Sequence, residues 1–241
     1  MIDFHTHILP GIDDGSMDIK MTEKMLEKEQ ADEVMHIYAT PHFYANRRSV
    51  EFFLERRNGA FEKVRELLES RPELPRITAG AEVYYFSGIG KAEHLDQLCI
   101  EGTDILLLEM PFEQWHRNMA RDVDDIINRR GIRIVLAHVE RYERFQKDRD
   151  TWKRILDMPL TIQLNTEYII HSGSWLRQSK EHKFCMQMLA DYDNIIIGTD
   201  CHNMTRRAPN LGKARAVIEK KLGSDRLTQI DEYTSKLLGR S

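Results

Sequence analysis

The sequence predicts an α/β fold: a distorted (β/α)7 barrel, TIM-like, formed by a single domain over residues 1–241. Short, near-continuous apolar runs alternate with amphipathic stretches along the chain, and such runs are typical of parallel strands buried on both faces. Seven strand–helix units fit a chain of 241 residues, a normal length for one barrel. No linker rich in Pro, Ser or Gly divides the chain.

The apolar runs define the predicted strands. In chain order they cover Met1–His5, Met35–Thr40, Arg76–Glu82, Asp104–Glu109, Ile132–His138, Leu160–Asn165 and Asn194–Asp200. An open doubly wound sheet is the alternative arrangement of such strands. The chain lacks both glycine-rich nucleotide fingerprints and the G-x-S-x-G turn of α/β-hydrolases, so neither motif supports that alternative.

Amphipathic spacing predicts the helices between these strands. Within Glu51–Ser70, apolar side chains recur at helical spacing on one face. A shorter pattern around Val123 precedes Gly131, a typical helix terminator. Further helices are predicted over Ser174–Asp191, Ala214–Leu222 and Arg226–Leu238.

The composition is that of an ordinary globular protein. Lys and Arg sum to 35 and Asp and Glu to 39, and the resulting net charge of −4 argues against a nucleic-acid partner. The three cysteines form no C-x-x-C pair, which disfavours a disulfide framework and a thiolate zinc site. The amino terminus does not resemble a signal peptide, and no apolar run is long enough to span a bilayer. We therefore expect a cytoplasmic protein without membrane insertion.

Six of the seven predicted strands are followed by side chains that can bind a metal ion. In chain order these are His5, His7, Asp14, His42, Glu82, Glu109, His138, Asp200 and His202. Since the carboxyl ends of barrel strands meet at one rim, we expect these groups to converge there. In the H-T-H and D-C-H triplets the two outer side chains point the same way on an extended segment.

The chemistry of these groups favours more than one cation. Five imidazoles and four carboxylates exceed what one tetrahedral ion needs, and clustered carboxylates would repel one another without a cation. Imidazole and carboxylate without thiolate suit Zn, Mn or Fe. The sequence therefore predicts two or three ions bridged by a carboxylate.

Each residue has a simpler interpretation when it is taken alone. An isolated His is usually a surface or satisfied core residue, D-D-G is a turn signal, and Asp14 can cap the following helix. Such groups recur at the same place, just after the strand, in successive strand–helix units. This repetition favours the metal site. The remaining histidines are predicted to have no role in it: His36, His94, His116, His171 and His182.

The motifs that carry these residues also resemble a known family. In chain order they read MIDFHTHILPGIDDGS, ATPHF, GAEVYY, LLLEMPF, AHVERY and GTDCHN, from residue 1 to about residue 207. The set resembles the polymerase-and-histidinol-phosphatase (PHP) superfamily. Within it, the set is most similar to the bacterial manganese-dependent protein-tyrosine phosphatases of capsule and exopolysaccharide operons.

The resemblance implies a PHP fold with three divalent metal ions, manganese first and Fe or Zn as alternatives. It implies that His5, His7 and Asp200 bind one ion. It places Glu82 as a bridge to a second ion, completed by Glu109 and His138. It assigns the third ion to Asp14, His42 and His202, and it implies catalytic, phosphate-binding roles for Arg141 and Arg207.

Two departures from the family pattern affect the expected substrate pocket. Val139 stands where the family often has Pro, and Asn165-Thr166-Glu167-Tyr168 replaces a stretch commonly rich in Ser and Gly. Both lie beside predicted site residues, so the local shape of the pocket, and with it the preferred substrate, stays open.

The function that these observations predict is hydrolysis of phosphotyrosine. Cations can neutralise the phosphate dianion and lower the pKa of a bridging water, whose hydroxide then attacks in line. Arginine matches phosphate oxygens in a bidentate manner. The resemblance implies a phosphotyrosyl protein as partner, the tyrosine-rich tail of a bacterial tyrosine kinase.

Three other functions compete with this interpretation. Another PHP phosphoesterase, such as a histidinol-phosphate phosphatase, would use the same rim. A binding module with a vestigial site would lack ligands, but none of the nine is missing here. Cys201 and Arg207 have the C-x5-R spacing of cysteine-dependent phosphatases, but their loop contains no Gly to cradle a phosphate.

Overall fold

Parallel strands form the centre of the fold in the computed structural model, which describes residues 1–170, 173–174 and 177–239. In chain order the strands are β1 (Ile2–Thr6), β2 (His36–Ala39), β3 (His42–Phe43), β4 (Arg76–Ala79), β5 (Glu82–Tyr84), β6 (Ile105–Glu109), β7 (Arg133–Leu136), β8 (Thr161–Asn165), β9 (Gly173–Ser174), β10 (Arg177–Gln178) and β11 (Ile195–Gly198). One sheet has the order β1-β2-β4 and another the order β11-β8-β7-β6-β5-β3, and every pair within them is parallel. The predicted α/β class with parallel strands is confirmed.

Each of the seven predicted strands is present, and two interruptions move the chain between the sheets. The strand predicted over Arg76–Glu82 is split into β4 and β5, and β2 is followed after Thr40-Pro41 by the short β3. Proline has no backbone N–H to donate to a sheet, which favours a break at Pro41. β2 pairs with β1 on one side and β4 on the other, whereas β3 and β5 pair with each other, so that His42 lies directly opposite Glu82.

The first and last strands approach each other at their carboxyl ends. Thr6 and Cys201 form a parallel bridge. The backbone N–H of Asp200 donates to the carbonyl of His5 at 2.7 Å, and that of His7 donates to Cys201 at 2.9 Å. These bonds place the H-T-H and D-C-H segments side by side.

Helices follow most strands. They are α1 (Ile19–Ala31), α2 (Val50–Ser70), α3 (Arg117–Asn128), α4 (Arg149–Leu156), α5 (Thr166–Ile170), α6 (Lys180–Asp191), α7 (Leu211–Leu222) and α8 (Ser224–Leu237). The predictions of α2, α3, α7 and α8 are confirmed within a few residues, whereas α1, α4 and α5 were not predicted. No helix among the described residues is long and apolar enough to cross a membrane.

The predicted helix Ser174–Asp191 is wrong in its first part. The short strands β9 and β10 pair with each other in antiparallel fashion, and the helix begins only at Lys180. The Ser179 hydroxyl caps it by accepting from the N–H of His182 at 3.0 Å. Leu176, which the helical spacing included, lies outside the described residues.

The strands are buried on both faces, as the apolar runs predicted. Every residue of β6, β8 and β11 is buried. One set of strand side chains packs with the helices, and another forms a cluster of its own that includes Phe4, Tyr38, Leu107, Val135 and Ile196. The strands are therefore held between two apolar layers, which fixes the positions of their carboxyl ends.

Candidate metal centre

The loop after β1 is folded tightly against its own first residue. The N–H of Ser16 donates to the carbonyl of His7 at 2.9 Å, and a Cβ at Gly15 would lie only 2.2 Å from that carbonyl oxygen. Only glycine fits this approach. Asp14 does not cap α1: Asp18 does, by accepting from Met21 N at 2.8 Å. Asp14 is left free to face the site.

His5, His7 and Asp200 form the first group of the cluster. The Nε2 atoms of the two imidazoles are 3.2 Å apart, and they lie 3.5 and 3.3 Å from Oδ1 of Asp200. All three residues are buried. The ligand atoms lie within 4.8 Å of one another, a separation that suits a shared cation.

Glu82 occupies the middle of the cluster. Its Oε2 atom lies 3.4 Å from Nε2 of His5, 3.2 Å from Nε2 of His7 and 2.8 Å from Nδ1 of His42. This buried oxygen nevertheless accepts no hydrogen bond from the described residues. A buried carboxylate oxygen surrounded by imidazole nitrogens is suited to bridging cations.

His138 and Glu109 lie on the other side of Glu82. Nε2 of His138 is 2.8 Å from Oε1 of Glu82 and 3.6 Å from Oε1 of Glu109. Burial lowers the pKa of His138 to about 4, so the imidazole is neutral and has a lone pair for a metal. Burial, reinforced by the charge of Glu82, raises the pKa of Glu109 to about 9.

Asp14, His42 and His202 gather at the outer edge of the cluster. Oδ1 of Asp14 is 3.5 Å from Nε2 of His42 and 3.6 Å from Nε2 of His202. The neighbouring imidazole of His202 lowers the pKa of Asp14 below its ordinary value. With His7, these side chains form a second group whose ligand atoms lie within 4.8 Å.

The structure thus brings the nine predicted ligands into one continuous cluster at the carboxyl ends of the strands. A third group of converging ligand atoms consists of His42, Glu82 and Glu109, so His42 can reach two positions. Oxygen atoms of Glu82, Glu109 and Asp200 are buried without hydrogen-bond donors among the described residues. Buried carboxylate oxygens that lack a hydrogen-bond donor and face imidazole nitrogens are suited to bind divalent cations. Their number here fits more than one cation.

Two of the nine residues adopt a backbone conformation that non-glycine residues seldom take. His138 has a φ of 32° and Asp200 a φ of 52°. Both follow the end of a strand, where the left-handed residue turns the chain and aims the side chain into the cluster.

Both predicted arginines lie beside this cluster. Nη1 of Arg141 is 3.6 Å from Oδ2 of Asp200, and its guanidinium stacks 4.8 Å above the ring of Phe112. Arg207 forms an ion pair with Asp200 and donates from Nη1 to Nε2 of His202 at 2.9 Å. A small cavity of about 120 Å³ opens between the two arginines.

Asn203 folds the loop that returns Arg207 to the site. Its side-chain oxygen accepts from the N–H groups of Thr205 and Arg206 at 3.0 Å each and from that of Arg207 at 3.3 Å. The N–H of His202 donates to the carbonyl of Arg207 at 2.8 Å. The C-x5-R spacing therefore serves to place Arg207 over His202.

The residues that orient the ligands were not predicted from the sequence. Asp13 accepts from Nδ1 of His7 at 2.7 Å. Gln163 accepts from Nδ1 of His5 at 3.0 Å and donates to Asn165 at 2.9 Å, and Asn165 donates to Oδ2 of Asp200 at 2.8 Å. Each bond to Nδ1 leaves Nε2 free for a metal. Their positions were the available signal: Gln163 and Asn165 lie in β8, the strand whose end carries no predicted ligand, and Asp13 directly precedes Asp14.

The described histidines that were predicted to have no role here do lie elsewhere. His36 stacks on Tyr38 with ring centroids 4.7 Å apart, and His182 is 3.0 Å from the carbonyl of Tyr168 through Nδ1. His94 and His116 precede helical turns, at Leu95 and Arg117. His171 lies outside the described residues.

The chain matches the family described as "Capsular polysaccharide synthesis, CpsB/CapC" over residues 1–238. It is 25% identical to the tyrosine-protein phosphatase CpsB of Streptococcus agalactiae, with 95% of this chain and 94% of that protein covered. It is 24% identical to the tyrosine-protein phosphatase YwqE of Bacillus subtilis, with 99% and 91% covered.

The fold is shared with the solved structures of YwqE from Bacillus subtilis and CpsB from Streptococcus pneumoniae, described as metal-dependent tyrosine phosphatases. The TM-score is 0.84 at 20% identity, with 100% of this chain and 96% of that chain covered. A mutant organophosphorus hydrolase also aligns, with a TM-score of 0.53 at 11% identity, over 98% of this chain and 92% of that one. The resemblance drawn from the motifs is confirmed: the chain belongs to the CpsB/CapC family of capsular polysaccharide synthesis.

Proposed function

We propose that the chain is a metal-dependent protein-tyrosine phosphatase, a phosphoric monoester hydrolase. The observation that carries this proposal is the convergence of nine potential ligands into one cluster, with two arginines and a small open cavity beside Asp200. The names of the curated relatives, tyrosine-protein phosphatases CpsB and YwqE, support it. Cations bound here would neutralise the charge of a phosphoryl group and activate water as the nucleophile.

We propose three cations, with manganese as the preferred metal and Fe or Zn as alternatives. His5, His7 and Asp200 would hold the first. Glu82 would bridge it to a second, held by Glu109 and His138. Asp14, His42 and His202 would hold the third. The groups of converging ligand atoms support the first and third sets directly, and the contacts of Glu82 support its bridging role.

Arg141 and Arg207 are suited to bind the phosphoryl oxygens. Both guanidinium groups are about one-third exposed, and both contact the same oxygen of Asp200, which sets them side by side facing the cavity. Phe112 orders Arg141 by stacking, so that its N–H groups are oriented before the substrate arrives. Guanidinium groups can match phosphate oxygens in pairs.

A mechanism that uses Cys201 as the nucleophile does not fit the structure. The thiol is fully buried, and burial raises its pKa well above the usual range. Its Sγ lies 3.9 Å from Oε1 of Glu29, and the guanidinium of Arg207 contacts His202 instead. Thiolate is the reactive form of cysteine, and this site suppresses it.

Two treatments separate the two mechanisms. We expect a chelator to abolish hydrolysis of p-nitrophenyl phosphate and added Mn²⁺ to restore it, whereas Cys201→Ser keeps most of the activity because the thiol only fills space. Cys185→Ser, at another buried cysteine, is the matched control. Loss of activity in Cys201→Ser alone, with chelator-resistant activity in the parent, would overturn the metal mechanism.

The substrate is tested by comparing a phosphotyrosyl peptide with histidinol phosphate. We propose that kcat/KM is higher for the peptide, since a phenolate with a pKa of about 10 leaves more readily than an alkoxide. The reverse preference would assign the chain to the alternative, a histidinol-phosphate phosphatase on the same rim.

We further propose that the enzyme acts as one domain in the cytoplasm, without a nucleic-acid partner. Its partner would be a phosphotyrosyl protein, the tail of a bacterial tyrosine kinase. The match to a capsular polysaccharide synthesis family supports this setting. Measuring dephosphorylation of the phosphorylated kinase by the purified chain tests the partner.

A further inference from the structure

A second cavity, larger than the one between the catalytic arginines, opens beside the metal centre. It has a volume of about 550 Å³ and shares two lining residues, Asp14 and His42, with the candidate ligands. Its outer part is lined by three arginines, which we call the basic groove: Arg47, Arg48 and Arg56. A molecule that extends from the metal centre along this cavity therefore meets the three guanidinium groups.

Local packing holds two of these arginines in place. The N–H groups of Arg47 and Arg48 donate to the carbonyl of Tyr44, at 2.9 and 3.2 Å, and form a turn. The guanidinium of Arg47 lies 4.5 Å from the ring centroid of Tyr44, and that of Arg48 lies 5.4 Å from the ring of Phe52. Stacking on a ring face orders a guanidinium while leaving its N–H edge available for an anion.

The three arginines of the groove form no ion pair with a described residue, although Asp13 and Asp14 line the inner part of the same cavity. Within the described part of the chain, none of the three guanidinium groups forms a salt bridge with a carboxylate, whereas Arg71, Arg133 and Arg215 each do. Arg56 donates to the carbonyl of Gly11 at 2.8 Å, which anchors the groove to the loop after β1. The groove thus combines two guanidinium groups that lie on aromatic rings with a third that is anchored to a backbone carbonyl, and none of the three is ion-paired among the described residues.

We propose that the basic groove is a second anion-binding subsite, which binds an acidic or phosphorylated side chain near the reacting residue in the same polypeptide. The proposal rests on the proposed phosphatase function and names the class of substrate: peptides with more than one anionic group. The cavity is concave and continuous with the ligand cluster. This shape fits a side chain of a bound polypeptide better than it fits a flat, extended ligand such as a membrane surface. Carboxylate and phosphate both match guanidinium, so the test must separate them.

The test measures kcat/KM on matched phosphotyrosyl peptides with the metal-loaded full chain. One series carries a single Glu at successive positions on either side of the phosphotyrosine. A second carries the non-hydrolysable phosphonomethyl-phenylalanine at those positions, and a third carries Gln. At some position we expect the anionic peptide to be hydrolysed more efficiently than its Gln counterpart, mainly through a lower KM, with the advantage shrinking as salt is added. The larger of the two advantages identifies carboxylate or phosphate as the natural ligand.

The variant Arg47→Gln/Arg48→Gln should bring the ratio between anionic and neutral peptides close to one. Exposed charge pairs are worth up to about 1 kcal/mol each, which corresponds to roughly fivefold per pair. The matched control is Lys63→Gln/Arg65→Gln, which removes two charges from exposed positions of α2 outside the groove and should keep the ratio of the parent.

The outcomes separate this proposal from the function on which it rests. If the parent hydrolyses no phosphotyrosyl peptide, the proposed function fails. Equal hydrolysis of all three series by the parent would overturn the subsite while leaving the phosphatase intact, as would an anionic preference that survives in the groove variant. If sedimentation with phosphatidylglycerol vesicles requires Arg47 and Arg48 while the peptides are hydrolysed equally, the groove is a lipid-binding surface instead.

Discussion

Imidazoles of the candidate metal centre are oriented by hydrogen-bond partners outside the proposed ligand set. Asp13 accepts from Nδ1 of His7 and from the backbone N–H groups of Gly15 and His42, at 2.7, 2.9 and 3.0 Å. Burial opposes ionisation of this carboxyl, but the adjacent His7 outweighs it and lowers the pKa of Asp13 to about 2. One carboxylate therefore sets the direction of His7 and fixes the loop that carries Asp14.

We expect Asp13→Asn to weaken metal binding by roughly 10- to 100-fold, the usual cost of losing a partner behind a ligand. The amide keeps the size of the side chain but loses the charge that orients the imidazole. Competition with a metallochromic chelator measures the affinity. Asp124→Asn, at a half-buried carboxylate of α3 that accepts from Asn128 and lies outside the site, is the control. An unchanged affinity in Asp13→Asn would show that the loop alone positions His7.

The charged members of the site could be predicted because imidazoles and carboxylates are conspicuous after apolar strands. The uncharged side chains that form hydrogen bonds with them could not be predicted. Gln163 and Asn165 lie within β8, where a polar side chain in an apolar run shows no preference for one neighbour over another. Their function depends on His5 and Asp200, which are distant in the sequence and meet them only through the parallel order of the strands.

The segments between the strands contain a few positions at which the backbone passes so close to other atoms that a larger side chain would not fit. Gly15 is the sharpest of these, because its added Cβ would meet the His7 carbonyl at 2.2 Å. We expect Gly15→Ala to lower the free energy of unfolding by roughly 1–3 kcal/mol, the usual range for overpacking, and to displace His7 and Asp14 together. Urea denaturation and metal titration measure the two effects.

Gly59, within α2, is the matched control, and its substitution should change the free energy of unfolding in the opposite direction. A Cβ there meets nothing within 4 Å, so Gly59→Ala should stabilise the helix by about 0.5–1 kcal/mol and leave metal binding unchanged. Stabilisation by both substitutions would contradict the close approach at Gly15.

The elements that escaped sequence analysis are short or strongly charged. β3 has two residues, too few for any periodic pattern, yet it places His42 opposite Glu82. α1 carries few apolar side chains among many charges, and its buried residues include the polar Thr22 and Glu29. Long apolar strands and amphipathic helices were predictable because their burial is periodic, and these segments lack that signal.

Binding of cations should stabilise the fold as a unit. The proposed ligands come from β1, β3, β5 and β6 and from the segments after β1, β7 and β11, so an ion bound among them would tie both sheets together. At a free Mn²⁺ concentration about 100 times Kd, one site contributes about 2.7 kcal/mol. We expect Tm to rise by roughly 5–10 °C, measured by calorimetry with and without chelator.

Glu82→Gln tests whether the bridging carboxylate carries this effect. The amide removes the shared negative oxygen but keeps the shape, so the increase in Tm on adding Mn²⁺ should shrink strongly. The control is Glu62→Gln, at an exposed residue of α2 that pairs with Arg65. A full Tm increase in Glu82→Gln would contradict the bridging role.

The overall architecture could be predicted best. Buried strands and amphipathic helices alternate along the whole chain, and only a few folds accommodate that pattern. The transfer of the chain from one sheet to the other at Pro41 and Ala81 could not be predicted, since it depends on how the strands meet in space.

The left-handed backbone at His138 and Asp200 has an evolutionary consequence. Such a conformation costs an L-residue about 1–2 kcal/mol, a cost that Gly would remove and Asn would reduce. Folding alone therefore favours Gly or Asn at these two positions, whereas metal binding would favour His and Asp. In a lineage released from the need to bind metal, these two positions should drift to Gly or Asn before the other ligands change, and such a substitution would identify a descendant that has given up the chemistry while keeping the fold.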